Sequence, residues 1–172
     1  MLRHQLDGPV IIASRKYEDS RGFFREVFKN SELESQLEQN IAFPQLNLSQ
    51  SKKGVIRGIH FSRNPHAQAK FVTCISGSIV DVVVDLRPNS STYLDHMKVE
   101  LSQDNCLGVF VPVGFGHGFH ALEDETSVVY LVSKEYNPDF ESVIYPLSSK
   151  IGIEWGNGPF TISDKDRDAN DL

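Results

Sequence analysis

Four places in this chain put polar side chains where an apolar strand would bury them. A buried polar group costs free energy unless it has a partner or a task. Arg57 and His60 interrupt the run Val55-Ile56-Arg57-Gly58-Ile59-His60-Phe61. They stand three apart, so strand alternation turns them to opposite faces unless Gly58 makes a bulge. Lys70 opens a strand after Ala67-Gln68-Ala69, and His117 and His120 sit in Gly116-His117-Gly118-Phe119-His120. Tyr130 lies midway along Val128-Val129-Tyr130-Leu131-Val132. Imidazole titrates near neutrality, phenol is a weak acid, and ammonium stabilises a developing anion, so this set suits proton transfer. Taken singly, each residue also has an ordinary structural use: a hydrogen-bonded core histidine, a packed tyrosine with its hydroxyl at a rim, a solvated lysine at a strand end.

Metal binding is the first alternative. His60, His117, His120 and Glu123 are suitable ligands for Fe, Zn or Mn. The spacing does not favour it, because His117 and His120 point to opposite faces of a strand and no His-x-His pair occurs.

The elements that must position these residues are mostly strands. Gly8 to Phe28 reads as two short strands around the polar turn Glu18-Asp19-Ser20-Arg21-Gly22. Ser31 followed by Glu34 predicts a capping box, with Leu33 and Leu37 on one helical face. Phe71 to Leu86 suggests two strands across a tight turn at Ser76-Gly77-Ser78. Alternation in the second strand puts Asp81, Val83 and Asp85 on one face and Val82, Val84 and Leu86 on the other. Met97–Ser102, Leu107–Phe115 and Ser127–Tyr136 read as further strands. Many short strands with one clear helix predict an all-β sandwich or barrel, which encloses a pocket.

Composition bounds the partners. The chain has 172 residues, enough for one domain, and carries 17 Lys+Arg against 23 Asp+Glu, a formal net charge of −6. That balance gives no basic surface for nucleic acid or an anionic membrane, though a few local cations can still hold a small anion. No apolar run is long enough to span a membrane, and the N-terminal residues do not read as a signal peptide. Cys74 and Cys106 lie in apolar segments without a CxxC spacing, as expected of buried reduced thiols in the cytoplasm.

The segments SRGFFRE (20–26), PQLNLSQSKKGVIRGIHF (44–61), AQAK (67–70), GSIVDVVVDLR (77–87), VPVGFGHGF (111–119), YLVSKEYNP (130–138), GIEW (152–155) and SDKD (163–166) follow in that order. Over residues 9–166 the chain resembles the nucleotide-sugar 3,5-epimerases typified by dTDP-4-dehydrorhamnose 3,5-epimerase. The resemblance implies a cupin jelly-roll barrel with short peripheral helices and a homodimer exchanging N-terminal strands. It implies cofactor-free, metal-free epimerisation at C3, C5 or both of a 4-keto-6-deoxy sugar on a nucleotide diphosphate. The carrier would be dTDP first, with CDP or GDP as alternatives, and the setting surface polysaccharide or other deoxysugar biosynthesis. Carried over by motif, His60 resembles the catalytic base, Asp166 its orienting partner, Tyr130 the opposing acid and Lys70 the residue facing the enolate. Arg21, Phe24, Glu26, Gln45, Asn47, Arg57, His117 and Glu141 match substrate-binding positions.

Leu131, Thr73, Val143-Ile144-Tyr145-Pro146, Leu94, His96 and Val113 depart from the family pattern, where Lys, Arg, GIRW, Gly, Trp and Pro are usual. The proposed catalytic residues are kept while their surroundings change, so the departures bear on substrate more than on chemistry. A keto-isomerase of the same superfamily and a silent sugar-binding barrel are the rival readings.

Overall fold

The computed structural model describes residues 6–172. Residues 1–5, part of the segment on which the leader reading rests, lie outside the described residues. Strands β1 (Val10–Ala13), β2 (Lys16–Asp19) and β3 (Gly22–Arg25) open the chain. Three strands thus stand where two were expected. β1 joins the main sheet beside a later strand, while β2 and β3 form a separate two-stranded ribbon whose turn holds Ser20 and Arg21.

Helix α1 spans Asn30–Leu37 and buries Leu33. The expected capping box does not form. The N-cap is Lys29, with no side-chain cap, and Glu34 Oε1 instead accepts a hydrogen bond from Ile41 N at 3.1 Å. Glu34 therefore ties down the chain leaving the helix rather than the chain entering it.

Ten strands follow: β4 (Gln45–Ser51), β5 (Val55–Ser62), β6 (Lys70–Ser76), β7 (Ser78–Asp85), β8 (His96–Ser102), β9 (Leu107–Val111), β10 (Phe115–Ala121), β11 (Thr126–Val132), β12 (Glu141–Val143) and β13 (Thr161–Ile162). Helix α2 (Asp164–Arg167) comes after them. One sheet runs β1-β9-β6-β11-β4; the other runs β12-β5-β10-β7-β8, with β13 parallel to β5. All other pairings are antiparallel. The all-β expectation holds.

The turn at Ser76-Gly77-Ser78 is not a hairpin. β6 and β7 belong to different sheets, and Gly77 carries the chain from one to the other. Its φ is +72° and an added Cβ would meet Thr126 Oγ1 at 2.5 Å, so only glycine fits this corner. The segment 107–115 is likewise two strands, broken after Val111 because Pro112 has no N–H to continue the ladder.

Between the sheets lies a core of Val72, Cys74, Ile79, Val83, Val109, Val111, Phe119 and Val128, among others. Val82 and Val84 face the other way, onto Ile56, Ile59, Ile144, Ile151 and Trp155, as strand alternation predicted. Leu33 packs with Ala69 and Phe110 on the outside of the first sheet. Both cysteines are unpaired and buried, and burial pushes the Cys74 thiol up to about 11.

One loop anchor has a measurable cost. Asp85 is fully buried at the end of β7 and accepts hydrogen bonds from Arg87, Ser90 and Thr92 at 2.6–3.0 Å. Burial alone would raise its carboxyl, but these donors outweigh it and hold it well below the usual carboxylate range. A depressed folded value means that the contribution to stability is present at neutral pH and is lost as pH falls through the carboxylate range. Asp85→Ala is expected to destabilise the fold by about 3 kcal/mol, read by denaturant unfolding at pH 7, with a smaller difference in acid. The same loop explains one departure from the family pattern. Leu94, where glycine is usual, sits at φ 70° and donates its N–H to Asp85 O, while its side chain packs on the Trp155 cluster.

Candidate active site

A cavity of about 230 Å³ opens at one end of the two sheets. Its walls include Asn47 and Ser49 on β4, Arg57 and His60 on β5, Lys70 on β6, His117 and Phe119 on β10, Tyr130 on β11 and Glu141 on β12. Strands from both sheets therefore contribute.

Arg57 and His60 both reach it because β5 is bulged. Between the pairs His60/His117 and Arg57/Phe119, β5 takes three residue steps where β10 takes two. Gly58 occupies the extra place at φ +120°; an added Cβ would lie 2.6 Å from Gly118 Cα and 2.7 Å from His117 O. The sequence-level condition on Gly58 is met, and the irregularity aims two polar side chains into one space.

His60 Nε2 lies 2.7 Å from Asp166 Oδ1. Asp166 is buried, and its other oxygen accepts Gly58 N–H at 3.2 Å. Its own N–H donates to Ser163 Oγ, which caps α2. Burial pushes the Asp166 carboxyl up, but His60, the Gly58 amide and the Ser163 hydroxyl together hold it below its ordinary value. It therefore stays anionic behind the imidazole. The His60 side chain is 28% exposed, open to the cavity.

A second imidazole–carboxylate pair lies beside the first. His117, the register partner of His60, places Nε2 2.7 Å from Asp81 Oδ2, and both side chains are buried. Asp81 Oδ1 is buried without a partner among the described residues. Lys70 is lowered from the ordinary lysine value by burial, against the opposing pull of Glu141 and Asp81. Tyr130 is raised by burial, partly offset by Ser49 and Arg57. Its hydroxyl lies 2.8 Å from Ser49 Oγ, and its ring meets that of His117 edge-on at 6.2 Å. Arg57 is fixed against β4 by hydrogen bonds to Ser51 Oγ at 3.0 Å and Gln50 O at 2.9 Å.

The structure thus gathers His60, Asp166, Tyr130, Lys70, Asn47, Arg57, His117 and Glu141. Gln45 stands just outside, bonding Asn47 Oδ1 at 2.7 Å and accepting Tyr136 N–H at 2.8 Å. Arg21, Phe24 and Glu26 are not brought in. Arg21 is 88% exposed and paired with Asp19, Phe24 is 68% exposed, and Glu26 lies beside Lys29. All three belong to the β2–β3 ribbon or its exit, which within one chain does not reach the cavity. His120 faces away, its Nδ1–H donating to Trp155 O at 3.0 Å, while Glu123 accepts from Ser78 Oγ. Among the described residues, no three His, Cys, Asp or Glu side chains converge as a metal-binding group.

Sequence reasoning missed Ser49, Gln68, Phe119, Tyr136 and Asp81 as parts of the site or its support. Asp81 carried a usable signal, an acid on the inward face of an apolar strand. Ser49 lies in an edge strand whose half-polar pattern resembles any solvated edge. Thr73, a departure from the family pattern, accepts a hydrogen bond from Arg25 Nη2 at 3.1 Å and so pins the ribbon to β6.

Residues 3–172 match the family model described as dTDP-4-dehydrorhamnose 3,5-epimerase. A protein of that name from Methanothermobacter thermautotrophicus is 42% identical over 99% of this chain and 93% of its own length. A dTDP-4-dehydrorhamnose 3-epimerase from Streptomyces niveus is 37% identical over 95% of this chain and 79% of its own. The crystal structure of the Bacillus anthracis 3,5-epimerase with TDP and PPi bound superposes with a TM-score of 0.93 at 37% identity, covering 99% of this chain and 98% of that one. The all-β architecture is the cupin-type jelly roll of these epimerases. By its matched residues, its fold and the arrangement of its cavity, this chain belongs to the dTDP-4-dehydrorhamnose 3,5-epimerase family.

Proposed function

We propose that the chain, acting as a single catalytic domain, epimerises a 4-keto-6-deoxy sugar carried on a nucleotide diphosphate, dTDP in the first instance, without a cofactor. The observation that carries this reading is the placement of His60 and Tyr130 on opposing sheets around one cavity. Inverting a carbon needs a base on one face of the ring and a proton donor on the other.

A proton next to the C4 ketone is acidic enough to remove if the enolate is stabilised. His60 takes it, the C–H electron pair passes into the enolate, and Asp166 fixes the imidazole and stabilises its cation. Lys70 faces the developing oxyanion; charge is costly in its half-buried place, so a negative oxygen there is well matched. Tyr130 returns a proton from the opposite face, and Arg57 suits a diphosphate because its fork of donors matches paired oxygens.

The cavity is smaller than the roughly 300–1,000 Å³ that encloses drug-sized ligands. It suits the sugar, and the nucleotide must then lie along the mouth. We infer that a second copy covers it there. No residue of the ribbon bearing Arg21 and Phe24 lines its own cavity, and Tyr17, Phe23, Phe24, Leu46 and Leu48 are exposed. The β4 strand that carries Leu46 and Leu48 is a sheet edge. Exchanged ribbons would bury this apolar surface and bring Arg21, Phe24 and Glu26 to the neighbour's nucleotide. A homodimer predicts a solution mass about twice 19.3 kDa; a clean monomer contradicts it. No helix of the described residues is long and apolar enough to cross a membrane, which accords with the cytoplasmic site we infer.

The function is tested by incubating the protein in D₂O with dTDP-, CDP- and GDP-linked 4-keto-6-deoxyhexoses and reading deuterium by NMR. Label with inverted configuration at C3 and C5 identifies a double epimerase, and label with inversion at C3 alone a 3-epimerase. No label with any substrate would remove the proposal.

A further inference from the structure

We propose that Ser49 is a positioning residue for Tyr130: it aims the phenolic proton into the cavity and returns a proton to the phenolate after each turnover. The inference rests on Tyr130 being the acid and goes beyond it by assigning what controls that acid.

Ser49 and Tyr130 meet across the β4–β11 ladder. Tyr130 pairs with Asn47 and Ser49 with Val128, so the two side chains are diagonal neighbours on the same face. The 2.8 Å contact between Ser49 Oγ and Tyr130 OH is the only hydrogen bond made by either side chain among the described residues. Tyrosine has one proton to give. If Tyr130 donated to Ser49, that proton would point away from the sugar. When Ser49 is the donor, the phenolic O–H is free to turn inward. The same serine proton then lies against the oxygen that becomes negative once Tyr130 has protonated the enolate.

The environment makes this contact matter. Tyr130 is packed between the His117 ring at 6.2 Å and the Phe119 ring at 6.4 Å, which fix its plane but offer its oxygen nothing. Burial opposes the phenolate, and Ser49 is the foremost group working against that burial, with Arg57 next. Ser49 is itself half-buried on an edge strand, so its side chain meets the phenol and is also partly open to solvent.

The proton count closes. His60 gains one proton from the sugar as its C–H bond breaks, and Tyr130 loses one as the new C–H bond forms. His60 releases its proton to water. Ser49 passes its hydroxyl proton to the phenolate and regains one from water. No oxidant or reductant is required.

The test compares Ser49→Ala, Ser49→Thr and Tyr130→Phe with the parent in D₂O, using the dTDP-linked 4-keto-6-deoxyhexose. Deuterium washout into the substrate and formation of inverted product are followed separately. A base alone can remove a proton and return deuterium to the same face, so washout without inversion isolates the acid. Ser49→Ala is expected to form inverted product about tenfold to a hundredfold more slowly, as for loss of a hydrogen bond to a developing charge. Washout should persist and KM should stay near the parent's. Ser49→Thr should restore most of the rate, because the hydroxyl returns.

Normal inversion by Ser49→Ala would overturn the proposal. So would equal slowing of washout and inversion, or a Ser49→Thr variant no better than alanine. Tyr130→Phe separates the two levels. If it is slow while Ser49→Ala is normal, only the positioning role falls. If Tyr130→Phe inverts normally, the acid assignment falls and takes this proposal with it.

Discussion

His60→Ala is expected to lower epimerisation at least about a hundredfold, the range contributed by one general acid–base group. Neither His117 nor Lys70 is placed to replace it. His117 is directed at Asp81 rather than Asp166, and Lys70 is a cation in the role assigned to it. The fold should survive, because His60 opens onto the cavity rather than the core. Asp166 keeps the Gly58 amide and the Ser163 hydroxyl–amide contact after losing the imidazole. Loss of one partner from that buried carboxylate costs about 1–3 kcal/mol, visible in melting but short of unfolding. Steady-state turnover and a thermal melt on the same preparation check both halves. A near-normal rate would refute the assignment of His60 as base.

The second large effect comes from a residue with no chemistry of its own. Gly58→Ala should destabilise the fold by about 4 kcal/mol or more, a size reserved for a few mechanisms such as backbone strain and overpacking. Two of those apply together. The added Cβ would lie 2.6 Å from Gly118 Cα, which is backbone and cannot rotate aside, and the φ of +120° is one that L residues rarely adopt. Against a typical total stability of about 5–15 kcal/mol, most of the soluble, active protein should be lost at growth temperature. Any folded remainder should be impaired, since the bulge aims both Arg57 and His60. A variant melting within a few degrees of the parent, with normal turnover, would show that β5 tolerates a regular register here.

The strand content was legible because β-branched runs and period-two alternation survive in β6, β7, β8 and β11. The two faces of β7 follow directly from alternation, with Asp81 and Val83 turned inward and Val82 and Val84 turned the other way. What period two cannot show is which strands pair. Ser76-Gly77-Ser78 has the composition of a hairpin and serves as a corner between sheets, packed against Thr126 from far along the chain. The capping box failed for a similar reason: Ser31 and Glu34 have the right spacing, but Ile41 N–H competes for the carboxylate.

The site was legible where a polar residue breaks an apolar run, as with His60, Lys70, His117 and Tyr130. Asp166 has no such signature; a polar stretch gives no sign that one of its acids is buried, and the family resemblance supplied it. Ser49 was invisible because its meaning is the atom opposite it. Arg21, Phe24 and Glu26 remain outside the cavity of their own chain, where a second copy would be needed to use them.

The contact between His60 and Asp166 spans 106 residues of sequence. During synthesis the barrel strands therefore leave the ribosome well before the carboxylate that meets His60. A nascent chain that has already paired β5 with β10 still holds an unoriented imidazole. On the roles proposed for His60 and Asp166, the pair is completed only when α2 emerges and docks, so activity is expected to report a chain translated through residue 166, whereas a strand-rich circular dichroism spectrum does not. A chain interrupted before that point would retain much of the barrel and little of the chemistry, which makes turnover the stricter measure of completeness.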